Sequence, residues 1–381
     1  MLKKVFILST ILLLLSSTFF GIYNFAFEET DKIRLLKLND NESKEKKGEL
    51  SKEDGKIVLM SDKRVIAPTM DQDNKKIIFY DKSNGNVESV SLDGKMESIV
   101  FENDLKELYD IAWSPNKNFV ISSFKNGKDN RFYLYSYITR KSIELKNGID
   151  HVIWDSQGEK IIYKYYDAQS GERSLNISDP SGSDWRKLVS LGDEFKKISF
   201  IQVPQTLFVS FWSYPDAFRK TSLNKVNIMD EGEAQEIAKD KFGANYLWSP
   251  DGRSFLVSSV QEGGKNLKLE IANYDGTNYI DLNMPTLAEK CVWTKDSATI
   301  YCALPSLAAE KVIFPNDYQE GKILTNDTFW KIDVKTGKKE RIVELEELDG
   351  EYDAKELFLS PNEGILFFVN RHDGKLYRIA L

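Results

Sequence analysis

Hydrophobic and polar positions divide the chain into three regimes. Residues 5–27 run 23 positions without a charge, behind Lys3 and Lys4 and ahead of Glu28, Glu29 and Asp31. About twenty apolar residues at roughly 1.5 Å rise each span the ~30 Å hydrocarbon core of a bilayer. Residues 1–27 therefore predict one transmembrane signal anchor, with the lysines holding the N-terminus in the cytoplasm. A cleaved signal peptide is the alternative. Phe19, Phe20, Tyr23, Phe25 and Phe27 crowd the place where its cleavage site needs small residues, which favours retention. Residues 28–54 are polar and charged, the composition of a flexible tether with an r.m.s. reach of roughly 30 Å. From residue 55 to the end, short apolar runs alternate with turn residues, which predicts strands.

Those runs repeat. Apolar residues that end a run just before a turn stand at Met70, Trp113, Trp154, Phe200, Trp248, Trp293 and Leu359, separated by 43, 41, 46, 48, 45 and 66 residues. The clearest copy is Trp248-Ser249-Pro250-Asp251-Gly252-Arg253 followed by Phe255-Leu256-Val257. Pro presets the first turn dihedral and Gly tolerates positive φ, so a strand ends, reverses and starts again. Most units add a second Gly turn: 91–95, 179–185, 273–278 or 333–338. Each unit is thus four strands, A to D, and a period of 40–50 residues predicts propeller blades. The last unit has only three strands before the chain stops, while Lys56-Ile57-Val58-Leu59-Met60 stands unattached ahead of the first. That run supplies the missing outer strand. The fold expected is all-β: a seven-bladed β-propeller over 55–381 with 3+1 closure, preceded by the one transmembrane helix.

The strings WSPDGRSFLVSS, WSPNKNFVISS and LSPNEGILFF resemble the repeats of TolB-type propellers, a likeness that covers about residues 56–381. It implies the fold. The helical domain that precedes the propeller in TolB has no counterpart here, so TolB's own role does not carry over.

The A–B turns are short and alike, as a scaffold needs. The B–C connections are long and dissimilar: 165–174, 211–222 and 305–327, the last accounting for the 66-residue spacing. Loops carry function more often than scaffold turns do. Trp212, Tyr214, Phe218, Phe314 and Tyr318, with Arg219, Asp317 and Asp327, form the candidate exposed recognition surface, since aromatics and Arg are enriched in such patches. The competing reading packs these loops on their own blades or over the channel mouth. The closing strand is entered from the scaffold face, so the B–C face is expected to point away from the membrane.

A formal charge of −7 argues against nucleic acid as a partner. His151 and His372 are the only histidines and share no metal-ligand spacing; no HExxH, CxxC or GxSxG occurs. Asp71-Gln72-Asp73-Asn74 begins like a calcium loop but lacks its Gly and Glu, and matches the A–B turns of the other units. No metal and no cofactor is expected. Cys291 and Cys302 are equidistant from the centre of the A–B turn of unit 6, so they face each other across a hairpin. They either bridge, as export permits, or pack as two buried thiols. The expected function is a non-catalytic scaffold at the cell membrane that holds an envelope protein, a peptide or a glycan on the B–C face. The alternative is a glycosidase- or lyase-type propeller enzyme with carboxylates in the channel.

Overall fold

The computed structural model describes residues 55–126, 129–306 and 311–381. The expected anchor (1–27) and tether (28–54) lie outside the described residues. Among the described residues, no helix is long and apolar enough to cross a membrane.

The architecture is all-β, and every strand pairing is antiparallel between sequence neighbours except one. Among the described residues, five sheets have four strands. The sixth has seven, because the long strand Gln235–Trp248 pairs with Lys220–Asn227 through residues 235–242 and with Ser254–Gln261 through 242–248. The exception is the closure. Ile57–Leu59 pairs with Leu376–Ala380, with Ile57 opposite Ile379 and Leu59 opposite Tyr377, so the first strand completes the last sheet. Among the innermost strands, Val65–Met70 touches Leu108–Trp113, which touches Ile149–Trp154, and Ala354–Leu359 touches both Cys291–Trp293 and Val65–Met70.

The apolar core is distributed rather than central. Neighbouring sheets enclose separate layers, such as Ile162, Leu175, Leu188, Phe200 and Phe211. Across the closure the layer is Met60, Val65, Phe79, Phe367 and Leu376. The tryptophans that mark the repeat also tie repeat units to the ones before. The Nε1–H of Trp113 donates to the carbonyl of Ala67 at 3.0 Å, that of Trp154 to Ala112 at 2.9 Å, and that of Trp248 to the Ser210 hydroxyl at 2.8 Å.

The turn signature has an equally local cause. Ser249 Oγ donates to Asp251 at 2.6 Å and accepts the N–H of Ser254 at 3.1 Å. Ser114, Thr294 and Ser360 repeat this arrangement, and all four hydroxyl residues are buried. Gly252 has φ +67°, and a Cβ there would stand 2.2 Å from the Pro204 carbonyl oxygen of the neighbouring turn. Cys291 and Cys302 are in register across their hairpin and joined by a disulfide.

Candidate functional site

Two of the B–C connections meet, around Asp216 and Asn316. Strand Phe208–Ser213 ends there and the chain turns through 214–219 before Lys220–Asn227. Asp216 fixes this turn: its Oδ1 accepts the Phe218 N–H at 3.0 Å and the Asn316 side-chain amide at 3.1 Å. Asn316 Oδ1 in turn accepts the Ala217 N–H at 2.8 Å. Asn316 opens the short helix Asn316–Gln319 of the long connection from the sheet holding Cys291. That connection therefore crosses a whole unit to reach its partner. It lies so close to the backbone that a Cβ on Gly264 would stand 2.7 Å from Ile313 Cγ2.

Phe314 and Tyr318 are consequently anchors, not exposed contacts. They are 5% and 4% exposed and pack with Ala217, Val260 and Leu287. Their exposure, expected from sequence, is corrected: the connection has no core of its own and buries its aromatics on the sheets it crosses. Asp317 is also mostly covered and accepts the Ile313 N–H at 2.8 Å, closing the turn ahead of the helix. Trp212 is 4% exposed, not an exposed contact, and belongs to a layer between two repeat units. Its indole donates to Asn245 Oδ1 at 3.2 Å, and the Asn245 amide donates to Glu289 at 3.0 Å.

Asp327 is likewise fully buried, in an ion network that sequence reasoning missed. Lys290 Nζ, itself fully buried, lies 2.7 Å from Asp327 Oδ2 and 2.7 Å from Asp353 Oδ1. It also donates to Thr325 Oγ1 and to the Ala354 carbonyl, both at 3.1 Å. The Tyr318 hydroxyl donates to Asp353 at 2.9 Å, and Arg371 pairs with the same carboxylate at 3.2 Å while stacking on the Tyr318 ring. Burial pushes Asp353 up, but Lys290, its hydrogen bonds and Arg371 outweigh it and hold the carboxyl below the ordinary range. Asp327, with fewer cations, is raised by burial against the pull of Lys290. One sequence signal existed: a lysine placed directly against the apolar strand that begins at Cys291.

Tyr214, Phe218 and Arg219 remain exposed, the first two at 44% and 56%. Tyr214 and Arg219 line a cleft of about 490 Å³ with Lys196, Lys197 and the helix residues Asn316 and Gln319. Tyr214 also lines a second cavity of about 810 Å³ at the channel mouth, with Lys82, Tyr109, Asp110, Lys125, Glu289 and Lys355. The two cavities thus share a wall. Desolvation raises the Tyr214 phenol, reinforced by the negative field of Glu289. Glu289 is open to solvent by surface area yet ringed by protein, and desolvation raises it in turn, against the pull of Lys290 and Arg371. Among the described residues no group of three His, Cys, Asp or Glu could hold a metal ion.

No protein-family model matches the sequence, and no curated protein is similar to it. Solved structures do match. An oligogalacturonate lyase in complex with manganese shares 13% identity over 85% of this chain and 93% of its own, with a TM-score of 0.61. Oligogalacturonate lyase from Vibrio parahaemolyticus shares 12% over 89% and 96%, also at 0.61. The β-propeller domain of Cps50 from Myceliophteria thermophila shares 10% over 85% and 99%, at 0.53. TolB proteins are among the matches at 0.45 and 0.44. The fold is a β-propeller, and identities this low speak to fold alone.

Proposed function

We propose that the chain is a membrane-tethered, extracytoplasmic seven-bladed propeller that holds a protein, peptide or glycan on its B–C face without catalysis. The count of seven takes Gln235–Trp248 as the outer strand of one blade and the inner strand of the next, each half having its own partner. The anchor and the orientation of the B–C face away from the membrane rest on residues 1–54 of the sequence. One observation carries the binding reading: Tyr214 is a shared wall of two cavities, so an extended ligand laid from the channel mouth past Tyr214 reaches Arg219 and the docked helix. Exposed Tyr214, Phe218 and Arg219 supply the rigid aromatic and forked cationic contacts typical of such surfaces.

The test is cross-linked capture from native membranes with wild type and with Tyr214→Ala/Arg219→Glu. Both side chains are solvent-exposed, so the variant keeps the fold. Loss of specific partners in the variant supports the reading, and identical capture refutes it. A lyase-type enzyme is the second reading, favoured by the raised Glu289 at the mouth, which suits a general acid. It predicts cleavage of oligogalacturonate, followed by absorbance of the unsaturated product and abolished by Glu289→Gln.

A further inference from the structure

We infer that the channel mouth binds an anionic group, a carboxylate or a phosphate, against Lys82, Lys125 and Lys355. The inference rests on the binding reading above only for the choice of face. The three lysines reach the ~810 Å³ cavity from three different sheets. Lys82 follows strand Lys76–Asp81, Lys125 is in Phe119–Asn126 and Lys355 is in Ala354–Leu359. Like charges drawn into one cavity repel and call for a counter-charge. What the protein itself supplies is incomplete. Lys355 pairs with its neighbour Glu356 at 2.7 Å. Lys125 lies 4.6 Å from the Tyr109 ring centroid, a contact that attracts the cation without cancelling its charge. Lys82 has no ion-pair partner among the described residues.

The electrostatics agree with the geometry. Burial, and then the positive fields of Arg64, Lys355 and Lys125, push the Lys82 amine below its ordinary value, with Glu356 the opposing charge. Glu107, Asp110 and Glu289 also line the cavity, but none of them is among the main charges acting on Lys82. Glu289 is coupled to Lys290, Arg371 and Asp353, and Asp110 acts on His151. The mouth is therefore polarised, cationic on the side of Lys82 and acidic on the side of Glu289. Its rim is shaped for side-chain presentation. Register shifts interrupt the innermost strands at Ile66/Thr69, Leu108/Asp110 and Lys355/Phe358. Ala67, Glu107 and Glu356 take positive φ there. Bulges of this kind re-aim side chains at barrel rims.

The experiment is calorimetric titration of the full chain in detergent with pyrophosphate and, separately, with citrate. We expect at least one to bind, with affinity falling about ten-fold in Lys82→Gln, the scale of one charge-assisted contact. Lys82→Glu should abolish binding, while Lys335→Gln, in the exposed turn 333–338, leaves it unchanged. Binding of pyrophosphate alone assigns a phosphate-bearing ligand, and binding of citrate alone a carboxylate-bearing one. Failure of both probes to bind, or wild-type affinity in Lys82→Glu, overturns the inference. Because Tyr214→Ala/Arg219→Glu leaves the lysines in place, a failure of partner capture and a failure of this titration are read separately.

Discussion

Replacing Lys290 by Met should destabilise the propeller by about 3–5 kcal/mol, the scale of removing one partner from a buried ion pair. The side chain is fully buried between two carboxylates, each 2.7 Å away. Met fills a similar volume, so the loss is electrostatic rather than a cavity. The two carboxylates are affected unequally. Asp353 keeps Arg371 at 3.2 Å, the Tyr318 hydroxyl at 2.9 Å and the Thr325 N–H at 3.1 Å. Asp327 keeps the Thr325 hydroxyl and the Ala354 N–H, both at 2.7 Å, but no cation. The loss is therefore that of one uncompensated buried charge. Adding Asp327→Asn removes that charge and should recover at least about 1 kcal/mol, within the usual range of coupling between contacting residues. Urea denaturation of the three proteins measures both quantities. Amide exchange should also rise around Tyr318, whose hydroxyl and ring are held by the same network. A loss below about 1 kcal/mol, or no recovery in the double variant, would refute the account of the network.

Three further outcomes follow from the same structure. Glu88 is 4% exposed, and burial together with Glu97 raises its carboxyl to about 7 from 4.5. A carboxyl raised on folding binds extra protons in the native state, so stability falls as pH rises from about 4.5 to 7. Glu88→Gln should flatten that slope and gain on the order of 2 kcal/mol at pH 8, read by thermal unfolding across pH. Gly252→Ala forces a Cβ at φ +67° against the Pro204 carbonyl and should cost at least about 2 kcal/mol in the same assay. The denatured, unreduced protein should show no reactive thiol, and Cys291→Ala/Cys302→Ala should lose up to about 3 kcal/mol for a loop of this size.

What was legible in the sequence was local. Ser249, Asp251 and Gly252 build their turn from hydrogen bonds within six residues, so the motif and the strand pair could be read together. The pairing of Ile57–Leu59 with the last sheet was legible because one blade lacked a strand and one strand lacked a blade. The site was less so. Phe314, Tyr318 and Asp327 sit in a connection with the composition of a recognition loop. Their burial depends on Ala217, Lys290, Asp353 and Arg371, which are distant in sequence and carry no common motif. Trp212 misled in a second way, since its position at the end of a strand hides that its ring enters a layer between two repeat units. Tyr214 and Arg219, at the tip of a turn, did line the cleft.

The central claim, that the B–C face is where a partner is held, is tested most directly by a photo-activatable cross-linker at position 218 or, separately, at position 335 on the face of the C–D turns. Both positions are solvent-exposed. Discrete adducts are expected on illumination of native membranes from position 218, with none from position 335. Adducts from 335 alone, or equal labelling from both, would contradict it.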